Sequence, residues 1–169
     1  YFFLWTSAVA WLACLTVLMV VGDRANLKRH GISFLIIIGL AVAGLVPYLF
    51  LLSNRSATMD AGQKLAISRA ADLFRVPEIL GAVVIIMLVL AHLRGRLNWR
   101  TPECVFTLSL ALMSFVVFNQ QVITGRSLQP FHYESFIANY LVLVAVIVAS
   151  LIIWRGREGA VLLRRRHAH

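Results

Sequence analysis

Pro77-Glu78-Ile79-Leu80-Gly81-Ala82-Val83-Val84-Ile85-Ile86-Met87-Leu88-Val89-Leu90-Ala91-His92-Leu93 decides the fold class. Beyond Glu78 the stretch carries no formal charge, and its apolar residues form one continuous run. Roughly 20 such residues at about 1.5 Å rise each cross a hydrocarbon core of about 30 Å. Lipid supplies no hydrogen-bonding partners, so a helix that satisfies its own backbone is the economical solution. Pro77 suits a first helical position, and Glu78 suits the positive end of the helix dipole. The reading is a transmembrane helix.

Four further runs flank it, at about 1–21, 32–52, 103–121 and 135–154. With 77–93 they predict an all-α polytopic membrane protein of about five transmembrane helices in a single domain. The composition agrees: 60% of the 169 residues are hydrophobic and 14% charged. A soluble domain stands nearer half and a quarter. The runs lack the three-or-four spacing of a one-sided helix and the alternation of barrel strands. Tyr1 opens directly into an apolar run with no basic region before it, so it does not read as a signal peptide. The expectation is that the chain is the C-terminal part of a larger protein.

Several local signals refine the picture. Tyr1, Phe2, Phe3 and Trp5 suit a membrane-water boundary. Gly39, Ala43 and Gly44 offer a small face for close helix approach, and Pro47 predicts a kink. That kink either opens a cavity or is simply tolerated. Thr101-Pro102-Glu103 repeats the helix-start signal, with Thr101 as N-cap. The connection over about 58–74 is expected to form an interfacial amphipathic helix. Met59, Ala66, Ala70, Leu73 and Phe74 would share its apolar face, with Asp60, Lys64 and Arg75 wet. Cys14 and Cys104 fall inside apolar segments and read as small buried hydrophobes.

The formal charge of +9 does not point to nucleic acid, because the basic residues cluster beyond the ends of apolar runs and no basic-aromatic surface accompanies them. Threading five helices puts eleven Lys and Arg on one side and five on the other. Positive residues concentrate in the cytoplasm. The C-terminal tail is therefore expected inside, and the 53–76 and 119–134 connections outside. The partner implied is the lipid bilayer, with anionic lipid at Arg164, Arg165 and Arg166 as well as a simple orienting role.

Candidate chemistry concentrates in Asn119 to Glu134. Arg126 offers a planar fork for phosphate or carboxylate. His132 and Glu134 can exchange protons, and Tyr133 can stack on a sugar ring or hold a headgroup. Gln120, Gln129 and the nearby Asp60 complete the candidate substrate-binding set. The competing reading pairs Arg126 with Glu134, makes His132 and Tyr133 interface anchors, and leaves Asn119, Gln120 and Gln121 capping a helix. His92 is expected to reach for the interface, and Asn139 to bond the fourth helix. No zinc motif, phosphate-cradling glycine loop or nucleophile elbow is present, and no catalytic residue or cofactor can be named.

Gly125-Arg126-Ser127-Leu128-Gln129-Pro130-Phe131-His132-Tyr133, followed by an apolar helix, resembles the closing part of polytopic bacterial proteins of the C-type glycosyltransferase superfamily. That resemblance implies transfer of sugars from polyprenyl-linked donors outside the bacterial cytoplasmic membrane, with Arg126 contacting lipid-linked phosphate. The acidic catalytic motif of the superfamily belongs in an early outer loop, and Asp60 does not fill that place. A transporter, supported by Pro47 and its small neighbours, and a non-catalytic anchoring or assembly module remain open alternatives.

Overall fold

The computed structural model describes residues 2–22, 27–54, 69–125 and 130–166. Every regular element among them is helical: α1 (Phe2–Gly22), α2 (Leu27–Ser53), α3 (Val76–Leu93), α4 (Pro102–Thr124) and α5 (Pro130–Tyr133). A π-helical turn (Glu134–Ala138) joins α5 to α6 (Asn139–Arg166) without a break. Among the described residues four spans are long and apolar enough to cross a membrane: Phe3–Gly22, Val76–Leu93, Pro102–Ile123 and Pro130–Gly156. This is the build of a multi-pass membrane protein. The run expected at 32–52 lies within α2, whose apolar stretch is Phe34–Gly44.

α4 is the hub and packs against α1, α3 and α6, while α3 and α6 also touch each other. α2 lies at the rim, chiefly against α1. Leu35, Ile36, Leu40, Val42 and Phe50 on α2 are all exposed. Helices in lipid gain nothing from leaving water, so close packing through small residues holds them together. Gly81 shows this most sharply. A Cβ there would stand 2.7 Å from the Ala111 carbonyl oxygen and 3.1 Å from the Ser114 hydroxyl. Ala145 and Ala149 of α6 are fully buried in the same core as Val84 and Leu88.

Polar groups on α4 are satisfied locally. The hydroxyls of Thr107 and Ser109 donate to the carbonyls of Glu103 and Phe106, at 2.6 Å each. The Trp11 indole N–H donates to Ser109 Oγ at 2.9 Å, fastening α1 to α4. At one end the 94–101 turn sits under α6, where a side chain on Gly156 would collide with the Arg96 carbonyl. That basic end also holds His92, whose Nδ1 lies 3.1 Å from the Leu97 carbonyl and whose ring meets Trp99 at 5.2 Å.

Several expectations need correction. The tightest helix approach falls at Gly81. Gly44 also takes a close approach, its added Cβ standing 3.3 Å from Trp5 Nε1 of α1, whereas Gly39 has nothing within 4 Å among the described residues. Thr101 does not cap α4 with its side chain; its hydroxyl donates to the Asn98 carbonyl at 3.1 Å. Residues 69–74 are not helical, and the remainder of the expected amphipathic segment, apart from 69–74, lies outside the described residues. The last helix starts at Pro130, ahead of the expected 135, and includes the basic tail through Arg166. Asn139 Oδ1 is buried without a partner among the described residues, so its expected bond to the fourth helix is not made through that atom.

Candidate functional site at the polar end

Opposite the basic end, the starts of α1, α3 and α5 meet the end of α4. Arg75 stands at their centre. Its backbone is extended (φ −77°, ψ 150°), as befits the residue before a helix that opens with Pro77. Nε donates to the Asp72 carboxylate, and Nη1 donates to Glu134 Oε2 at 2.9 Å. The guanidinium also lies over the Phe118 ring, 5.4 Å from its centroid. Burial alone would lower the pKa of Arg75, but its bonds to Asp72 and Glu134 outweigh that and raise it. One arginine thus ties the connection before α3 to the π-helical turn 59 residues later.

Beneath it lies Glu78, fully buried in the first turn of α3. One carboxylate oxygen accepts the Arg75 backbone N–H at 3.3 Å, and the other accepts Asn119 Nδ2 at 2.7 Å. Asn119 also reads the main chain of Asp72: its Oδ1 accepts the Asp72 N–H at 2.8 Å, and its Nδ2 lies 2.9 Å from the Asp72 carbonyl. Gln121, buried, donates to the Ala70 carbonyl at 3.2 Å. Ala70 and Asp72 therefore satisfy backbone groups through side chains of α4, and Arg75 through Glu78 of α3, which is how an irregular segment survives beside a membrane.

A second group adjoins the first. His132 stacks on Phe3, with ring centroids 5.1 Å apart and planes 7° apart, and Phe136 tilts against it at 5.9 Å. His132 Nδ1 is buried with no partner among the described residues. Tyr133 is buried, with its hydroxyl 2.6 Å from Thr6 Oγ1 and its edge toward Phe3. Phe3 and Thr6 of α1 thus hold the opening of α5. Gly125 ends α4 at φ 72°, and the Arg69 guanidinium lies about 3.7 Å from where its Cβ would stand.

Of the sequence-derived candidates, His132, Tyr133 and Glu134 are brought to this end, and Gln120 sits half-buried on α4 between Asn119 and Gln121. Arg126, Gln129 and Asp60 lie outside the described residues. Glu134 pairs with Arg75, while the alternative pairing with Arg126 falls outside the described residues. Arg75 itself, expected to be wet, is the central cation, and Asp72, Glu78 and Asn119 were not in the candidate set. Two carboxylates, Asp72 and Glu134, bond one guanidinium, and Glu78 lies close beneath on its backbone N–H. Its chemistry is that of a clamp. Among the described residues no group of three His, Cys, Asp or Glu could hold a metal ion. No protein-family model, curated protein or solved structure matches the chain.

Proposed function

We propose that this multi-pass membrane protein is part of an envelope enzyme of the glycosyltransferase-like kind, acting on a polyprenyl-linked donor at the extracytoplasmic face of a bacterial cytoplasmic membrane. The observation that carries the reading is the fixing of the residues on either side of positions 126–129. Gly125 at one end and the Tyr133–Glu134 pair at the other are both fixed by packing and hydrogen bonds. A π-helical turn begins at Glu134, a feature that often accompanies functional sites.

In this reading Arg75 positions, and phosphate falls to Arg126 with Arg69 beside Gly125. Arg75 is unsuited to a second anion because two carboxylates already occupy it. In this reading the polar end faces outside and the C-terminal helix end the cytoplasm, an orientation that the eleven-to-five distribution of Lys and Arg supports. The test replaces Arg126 and Arg69 separately by alanine in the full-length protein and profiles envelope glycans. Loss of a lipid-linked or transferred sugar from correctly inserted protein supports the reading. Unchanged glycans from both variants contradict it.

A second reading, a transmembrane assembly module, is favoured by α2, which is exposed at most described positions and packs chiefly on α1. Photo-crosslinkers at Leu35 and Ile36 would then capture a stoichiometric protein partner, and changes at Arg69 and Arg126 would have no effect.

A further inference from the structure

At the basic end an apolar slot of about 380 Å³ opens between the last turns of α1 and the first turns of α4. Leu15, Leu18, Met19, Val105 and Phe106 line it, and Arg100 is the one charged residue among its described lining. Phe106 closes the inner wall and is itself braced edge-on by Trp11, with centroids 5.9 Å apart. The Arg100 position is fixed by the turn that precedes α4: its backbone N–H donates to Asn98 Oδ1 at 3.0 Å. The Arg100 side chain is exposed and forms no ion pair among the described residues. Arg94 and Arg96 share its connection, and Glu103 is the nearest carboxylate in sequence.

A second groove supplies the contrast. Trp5, Val9, Ala13, Thr16, Ile38 and Val42 line a space of the same size, about 380 Å³, between α1 and α2. It carries no charge, and Thr16 spends its hydroxyl on the Leu12 carbonyl at 2.7 Å. Hydrocarbon of any lipid fits there without preference. The slot at the basic end differs in having a guanidinium at its rim, whose planar fork matches a phosphate.

We infer that the α1–α4 slot binds one acyl chain of an anionic phospholipid, with the headgroup phosphate paired to Arg100. The size lies within the range of ordinary ligand pockets, roughly 300–1,000 Å³. Basic pockets between transmembrane helices take anionic headgroups for the same electrostatic reason. The site is independent of the polar end and of the function proposed for it.

The test purifies the full-length protein in a neutral detergent and adds phosphatidylglycerol or phosphatidylcholine of matched chains. Native mass spectrometry then counts the lipid retained. The wild type should retain phosphatidylglycerol in preference to phosphatidylcholine. Arg100→Gln should reduce that preference about fivefold, the factor expected for one surface cation, and leave phosphatidylcholine unchanged. Val105→Trp should reduce retention of both by filling the slot, and Arg155→Gln, outside it, should behave as wild type. Equal retention of the two lipids by the wild type overturns the inference. So does full preference in Arg100→Gln, which decides the matter even where Val105→Trp fails to fold.

Discussion

Removing the guanidinium of Arg75 should destabilise the protein far more than neutralising the carboxylate it meets across the bundle. Arg75→Met keeps most of the stem but deletes bonds to both Asp72 and Glu134 and the contact over Phe118. It leaves two carboxylates beside a buried Glu78. Breaking a fully buried pair costs about 3–5 kcal/mol. The side chains of Arg75 and Glu134 keep 26% and 22% exposure, so solvent screening lowers the expectation to about 2–3 kcal/mol. Glu134→Gln retains an oxygen to accept from Nη1 and leaves the Asp72 pair intact, for a cost of about 1 kcal/mol. The coupling between the two sites should be about 1–2 kcal/mol, above an exposed ion pair and below a buried one. Equilibrium unfolding in mixed micelles, followed by circular dichroism, gives the four corners of the cycle. A coupling below about 0.5 kcal/mol, or Arg75→Met no worse than Glu134→Gln, would refute the clamp.

Two further outcomes follow from packing. Gly81→Val forces atoms into the Ala111 carbonyl, which is helix backbone and cannot turn aside, so overpacking should cost about 1–3 kcal/mol in the same assay; wild-type stability would mean that α3 and α4 do not approach as described. Tyr133→Phe removes the hydroxyl that meets Thr6 and should cost about 0.5–1 kcal/mol, as buried polar pairs in membranes do; no measurable change would mean that this hydrogen bond does not help hold α5 to α1.

The architecture was legible because a bilayer imposes one requirement, length of apolar helix, that a run such as 77–93 meets on its face. The polar end was only half legible. Asn119, Gln121 and Glu134 drew attention as polar residues at a membrane edge, but their partners sit 41 to 59 residues away in Ala70, Asp72, Arg75 and Glu78. Nothing in local spacing encodes such pairs. Arg75 looked wet because an amphipathic helix over 58–74 would have placed it on the solvent face. The described part of that segment instead gives up helical hydrogen bonds for side chains of α4. Pro130 was a missed signal of another kind. It carries the same first-turn preference that reads correctly at Pro77 and Pro102, yet its aromatic and polar neighbours suggested a loop. The π-helical turn that follows has no distinctive composition and was not readable at all.

Labelling of single cysteines from the two sides of the membrane tests the alternation of helices most directly. With Cys14 and Cys104 replaced by alanine, Ser127→Cys should react with an impermeant maleimide in intact cells. Asn98→Cys should react only after the membrane is permeabilised. Labelling of both positions from the same side would contradict a membrane crossing by α4, and with it the separation of a polar end from a basic one.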